Sequence, residues 1–101
     1  MVSFIQMDDA RLRQRVKEIA DSVKNVRDDE LFALLDNHIE PFCQARGLRY
    51  DHRNRGGSHH VFTVGTSTFT VARPHGTSLL KPVYVRSFLD AMADIDLYEQ
   101  E

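Results

Sequence analysis

Two adjacent histidines follow a glycine-rich stretch in the middle of the chain, and they are the residues best suited to chemistry. The segment GGSHHVFTV, residues 56–64, contains His59 and His60. Histidine can take up and release a proton near neutral pH, which makes it a common general acid or base. Gly56 and Gly57 permit backbone conformations that are closed to other residues, so they allow a sharp entry into a strand. The segment therefore predicts an acid–base residue at the exposed mouth of a strand.

The alternation of side chains along this strand assigns the two histidines to opposite faces. His60 is in phase with Phe62 and Val64, which are the stronger core candidates. His59 is out of phase with them and is predicted to face solvent, unless a bulge at the glycines reverses the assignment.

Other site chemistries find less support in the sequence. For a metal site, His52 and His75 would have to converge by folding, and no cysteine or acidic ligand lies close to the histidine pair, so neither metal nor cofactor is expected. No G-x-S-x-G elbow or phosphate-binding glycine loop occurs. The single cysteine, Cys43, continues an apolar helical pattern and is predicted to lie in the core.

Apolar spacing predicts the helices that must support such a site. Residues 8–26 read as an amphipathic helix capped by Asp8 or Asp9, and its stripe either packs in the core or contacts a second copy of the chain. A second helix starts at an acidic cap, residues 28–30, and stops near Gly47. The first stripe consists of Leu12, Val16, Ile19, Val23 and Val26. Within the second helix, Pro41 must kink the helix, end it or begin a new turn.

Three β-prone runs, 48–53, 59–64 and 69–72, follow the second helix, and a hairpin loop with Gly65 joins the last two. A final helix starts at Pro82 and runs to residue 94. Its predicted buried face consists of Val85, Phe88, Leu89 and Met92. The order α-α-β-β-β-α predicts an α+β domain in which helices back a three-stranded antiparallel sheet of order 1-2-3.

Charge is distributed unevenly along the chain. The net charge is −2, yet residues 46–86 hold seven cations and one acid, a net charge of +6, together with four of the five histidines. This asymmetry favours a phosphate-bearing partner for the central segment, although charge scattered over a small surface gives the same count. The length of 101 residues suits one domain, and no apolar run is long enough to span a membrane. The first residues lack the features of a secretory signal, which predicts a cytoplasmic protein.

Four features in fixed order resemble the HicA family of bacterial toxins, small ribonucleases that cleave mRNA and share the fold of double-stranded-RNA-binding domains. They are ELFALL in a helix, GSHHVF at a strand start, FTVARPH at a strand end and LLKPVYVRSFLDAMADI over the last helix. The resemblance covers roughly residues 31–95. It implies an α-β-β-β-α domain over residues 28–101, preceded by an extra helical extension over residues 1–27.

By this resemblance the catalytic histidine is His59, which directly follows the Gly-Ser pair. RNA carries its own nucleophile, the 2′-OH, so a proton-transferring histidine beside phosphate-holding cations suffices without metal. The expected RNA contacts are Gly57, Ser58, Arg53, Arg55, Arg73, His75, Lys81 and Arg86. The implied partners are RNA and a HicB-like antitoxin that covers His59 and the basic face.

The chain departs from the family pattern in two places. VARPH displaces the family's proline and adds a residue before His75, and residues 1–27 add a helix that compact members lack. Two functions without catalysis stay open. One is a module of the same fold that binds RNA or a protein without cleavage, and the other is a pure interaction protein built on the N-terminal helix. That helix is also where a homodimer would form.

Overall fold

The computed structural model describes residues 7–100, and the predictions made for residues 1–6 and 101 lie outside that range. Two helical regions precede a three-stranded sheet, and one helix follows it. The elements are α1 (Asp9–Asp21), a 3₁₀ turn (Val23–Asn25), α2 (Asp28–Leu34), a π-helical segment (Leu35–Ile39), α3 (Glu40–Ala45), β1 (Tyr50–Asn54), β2 (His59–Val64), β3 (Ser67–Ala72) and α4 (Pro82–Asp94).

The first helix is capped by Asp8, whose side chain accepts a hydrogen bond from the Arg11 backbone N–H at 2.8 Å. It ends at Asp21, earlier than the predicted residue 26. The Ser22 hydroxyl donates to the Glu18 carbonyl, a local bond that competes with the helical backbone. The stripe residues Leu12, Val16 and Ile19 are buried in the chain's own core, as the core-packing interpretation expects.

The second helical region runs from Asp28 to Ala45 without a break but widens into a π-helix just before Pro41. Proline has no N–H to donate and its ring crowds the preceding turn, so a wider turn accommodates it. The predicted acidic cap is wrong in detail, because Arg27 occupies the N-cap position without a side-chain cap bond. The three acids lie in the first turn instead, where the helix dipole favours negative charge.

The sheet has the predicted order β1-β2-β3, and both pairs are antiparallel. The second strand agrees with the sequence prediction, whereas β1 begins later, at Tyr50, and β3 begins earlier, at Ser67. The extra pairing of Ser67 with Val64 leaves only a two-residue loop in the hairpin. Gly65 adopts a φ of +61° there, as such tight turns require.

The core lies between the helices and one face of the sheet, which confirms the α+β architecture. The sheet contributes Phe62, Val64, Phe69 and Val71, and α4 contributes Val85, Phe88, Leu89 and Met92, all buried. Positions in the other phase, such as Thr68 and Thr70, are exposed, so that face of the sheet is open. Among residues 7–100, no helix has both the length and the apolar character needed to cross a bilayer.

We expect Gly65→Ala to lower the free energy of unfolding by about 2 kcal/mol or more, because a left-handed non-glycine residue already costs about 1–2 kcal/mol and a crowded methyl adds to that. The added Cβ would lie 3.0 Å from Ile95 Cγ2. Gly57→Ala is the matched control, since Gly57 has a φ of +57° and nothing within 4 Å of its added Cβ. Urea unfolding of both variants checks this, and equal losses would contradict it.

Candidate functional site at the start of the central strand

The start of β2 presents the two histidines to opposite faces of the sheet, as predicted. His59 is exposed, and His60 is half-buried on the face that carries Phe62. The pairing of β2 with both neighbours is continuous, so no bulge reverses the phase. The turn before β2 uses positive φ angles at Gly56 (+107°) and Gly57 (+57°), which only glycine adopts readily.

Two arginines lie near His59 along the backbone of the β1–β2 hairpin. The Arg55 backbone N–H donates to the His59 carbonyl at 2.9 Å, so these residues lie side by side at the end of the β1–β2 hairpin. Arg53 is exposed on the open face of the sheet, where its guanidinium pairs with Asp51 at 2.8 Å. An exposed imidazole with arginines on the adjoining strand can transfer a proton beside a bound phosphate.

The other predicted RNA contacts lie elsewhere. The Arg73 backbone N–H donates to the Ser58 carbonyl at 2.8 Å, which keeps the end of β3 beside the glycine turn. The Arg73 guanidinium, however, lies 4.1 Å above the centre of the Phe32 ring, on the helical face. Lys81 is the N-cap residue of α4, and His75 is exposed in the loop before it. The predicted set is thus not gathered on one surface, because Arg53 and Arg73 lie on opposite faces of the sheet end and the exposed Arg86 lies on α4.

Acids from other elements neutralise part of the positive charge that the basic segment, residues 46–86, presents at the surface. Arg46 pairs with Asp9, and Arg73 lies 3.5 Å from Asp28. Within the segment itself, Arg53 pairs with Asp51, so among residues 7–100 three of the seven cations have an acidic neighbour. Counting charges along the sequence therefore overstates the positive charge that the folded surface offers to a partner.

On the helical face, a chain of hydrogen bonds runs from the π-helical segment to His60. The Asp36 carboxylate lies 3.1 and 3.2 Å from His52 Nδ1, and His52 Nε2 lies 2.8 Å from His60 Nδ1. The Tyr50 hydroxyl donates to the same carboxylate at 2.8 Å. His52 pairs across the sheet with Phe62, so His52 and His60 are diagonal neighbours on one face and can meet.

Aromatic rings pack around this chain of hydrogen bonds. The His52 ring stacks on Phe62 with centroids 4.1 Å apart, and Phe32 packs edge-on against His60 at 4.8 Å. Because Arg73 covers the same Phe32 ring, its guanidinium and the His60 imidazole border one small surface at the rim of the helical face.

These surroundings shift the protonation of two groups. Burial lowers the pKa of His60 below its ordinary value, the cost of charging His60 and His52 together and the positive charge of Arg73 lower it further, and Asp36 opposes this shift. Burial and the hydrogen bond to Asp36 raise the pKa of Tyr50 far above its ordinary value, so Tyr50 stays a donor to the carboxylate.

Two alternative chemistries can be compared with the geometry. Among residues 7–100, no group of three or more histidine, cysteine, aspartate or glutamate side chains is arranged to hold a metal ion. His52 converges with His60 rather than with His75. Cys43 is buried, and burial raises the pKa of its thiol, which disfavours the reactive thiolate.

Sequence reasoning missed Asp36 and Tyr50 and considered His52 only as a metal ligand. A signal existed in β1, because Tyr50 and His52 occupy the inward phase of a strand, where apolar residues are expected. Nothing in the sequence pointed to Asp36, whose contact with His52 depends on how the π-helical segment lies over the sheet.

Together, the fold and the site define a small α+β protein that carries one histidine on each face of a partly basic sheet end. No family model matches the chain, and neither a search of curated proteins nor a search of solved structures finds a similar one.

We expect the free energy of unfolding to fall as the pH drops below about 6.5, the ordinary pKa of histidine. Unfolded His60 binds its proton near that pH, whereas folded His60, surrounded by His52, Tyr50, Asp36 and Arg73, binds it only at lower pH. The unfolded state then holds more protons, so acid favours unfolding, and the contribution is fully present only above the unfolded pKa.

Urea unfolding of the wild type and of His60→Gln between pH 8 and pH 5 measures this contribution. The variant should lose less stability over that range. A loss equal to that of the wild type would show that His60 does not contribute.

Proposed function

We propose that the protein is a metal-independent endoribonuclease, a toxin of the HicA type that cleaves mRNA in the cytoplasm and is neutralised by a HicB-like antitoxin. His59 is the residue that transfers protons at the scissile phosphodiester. The observation that carries the proposal is the exposed imidazole of His59 at the start of β2, directly after the glycine turn and beside Arg53 and Arg55.

The chemistry of RNA cleavage fits this arrangement. The 2′-OH of RNA attacks the adjoining phosphorus, so the enzyme needs to move protons and to stabilise the charge on the phosphate. An exposed histidine provides the first function and neighbouring guanidinium groups provide the second. The Gly56–Gly57 turn adds no side chains at this end of the sheet, which leaves room for a ribose–phosphate backbone to approach.

The same features support the proposed partner. A protein that presents acidic groups to the open face would cover His59 and compete with RNA for Arg53 and Arg55. Inhibition would then follow from occupation of the basic surface and would need no change in the fold of this chain.

We expect His59→Ala to reduce RNA cleavage by at least about a hundredfold, the usual contribution of a general acid or base. Expression of the variant should no longer arrest growth. Purified protein with a labelled RNA measures the cleavage rate, and EDTA should leave the wild-type rate unchanged.

Thr63→Ala provides a matched control, because Thr63 lies on the same strand in the phase of His59 and outside the proposed site. It should cleave at the wild-type rate. Full cleavage by a His59→Ala protein with an unchanged melting profile would remove His59 from the mechanism. A wild-type chain that binds RNA without cutting it would instead indicate a non-catalytic RNA-binding module.

Binding should weaken as salt rises, because cations that neutralise phosphates release counterions. Replacing both Arg53 and Arg55 by alanine should reduce the slope of log affinity against log salt by about 1 for each phosphate that is no longer neutralised. Fluorescence anisotropy with a short RNA measures the slope.

Arg49→Ala is the control for charge alone. Arg49 lies at the opposite end of β1, where its carbonyl accepts a hydrogen bond from the Gly65 N–H. The control should keep the wild-type slope. If Arg49→Ala flattens the slope as much as the double replacement of Arg53 and Arg55, the proposed location of the RNA-binding surface is wrong.

A further inference from the structure

The hydrogen-bond chain determines which nitrogen of each histidine carries the proton. A carboxylate can only accept, so Asp36 requires a proton on His52 Nδ1. A neutral His52 then has a bare Nε2, which must accept from His60 Nδ1. A neutral His60 that donates from Nδ1 has a bare Nε2. The hydrogen-bond chain from Asp36 through His52 therefore makes His60 Nε2 a hydrogen-bond acceptor.

The outer nitrogen of His60 is available to a ligand. Within residues 7–100, His60 Nε2 has no hydrogen-bond partner. It is not a buried atom, because the one buried side-chain polar atom without a partner in that range is His38 Nδ1. His60 Nε2 therefore reaches solvent. Burial and the nearby charges favour the neutral ring that this acceptor requires.

The surface around this acceptor contains a cation. Arg73 and His60 pack against the same ring of Phe32, and Arg73 has only a long contact, 3.5 Å, with Asp28. Its guanidinium can therefore exchange this partner for another anion. A neutral acceptor beside a cation suits a ligand that offers a hydroxyl donor next to an anionic oxygen.

Every nucleotide of RNA carries such a pair of groups, a 2′-OH donor next to an anionic phosphate, whereas DNA has the phosphate alone. We propose that His60 and Arg73, with His52 and Asp36 behind them, form a ribose-recognition site in which His60 Nε2 accepts a 2′-OH and Arg73 holds the adjoining phosphate. This proposal rests on the proposed function, because RNA is the ligand of both sites. It adds the selection of RNA over DNA to the cleavage at His59.

A single strand can reach both faces of the sheet end. His59 and His60 are consecutive residues, and the sheet is one layer thick between them. A strand that crosses the glycine turn would place one nucleotide at His59 and a nearby nucleotide at His60. Selection and cleavage would then act on different nucleotides of one RNA.

The test compares an RNA with a DNA of equivalent sequence by fluorescence anisotropy, in the His59→Ala background so that the RNA stays intact. The His59→Ala protein, called the parent below, should bind RNA about tenfold more tightly than DNA. This is the effect of one hydrogen bond to an acceptor that DNA leaves unpaired. Adding His60→Phe should remove this preference and leave DNA affinity within twofold. Arg53→Ala, which removes a cation that binds phosphate, should weaken both ligands alike.

A second measurement avoids dependence on the folding of the His60 variant. Single 2′-deoxy substitutions are scanned along the RNA against the parent protein, and one or two positions should account for most of the tenfold loss. Small, equal effects at every position would overturn the ribose site, as would an unchanged preference in a His60→Phe protein that melts normally. In both cases RNA binding persists and the proposed function stands, whereas absence of binding to RNA at low salt would overturn both.

Discussion

The alternation of side chains along β2 is the constraint on which the rest of the site depends. Phe62 and Val64 are completely buried beneath the helices, and this burial sets the phase of the whole strand. His60 must then face the helical layer and His59 must face solvent. A slip of one residue in either pairing would exchange the two histidines and expose both core residues, so the hydrophobic core holds the functional geometry in place.

The second dependence is on the shape of the helix above the sheet. The π-helical segment before Pro41 carries Asp36 and also buries Leu35 and Ile39. Asp36 thus joins the helical layer to β1 through Tyr50 and His52, while the apolar neighbours anchor the segment in the core. Widened helical turns often occur at functional sites, and here the wide turn carries the carboxylate that orients two imidazoles.

Ion pairs between different elements neutralise part of the positive charge of the central segment, residues 46–86. The chain is acidic overall, and acids from α1 and α2 reach cations of the central segment, as the Arg46–Asp9 and Arg73–Asp28 pairs show. The Arg46–Asp9 pair is exposed and contributes little to stability, whereas the Asp28 side chain of the other pair is largely buried. At the sheet end, the Arg53–Asp51 and Arg73–Asp28 pairs reduce the positive potential, so a phosphate ligand must compete with these two acids for the guanidinium groups.

Patterns that depend only on near neighbours in the chain were readable from the sequence. The alternation in β2, the apolar spacing of α4 and the turn glycines predicted the central strand, the last helix and the sheet order, because periodicity and turn chemistry act over a few residues. The same alternation assigned His59 and His60 to their faces. Strand ends were less predictable, since the start of β3 at Ser67 depends on its pairing with Val64. The meeting of Asp36, His52 and His60 and the position of Arg73 over Phe32 were decided only by the tertiary structure. Those contacts join distant residues through the packing of a helix on a sheet, and no local pattern encodes them.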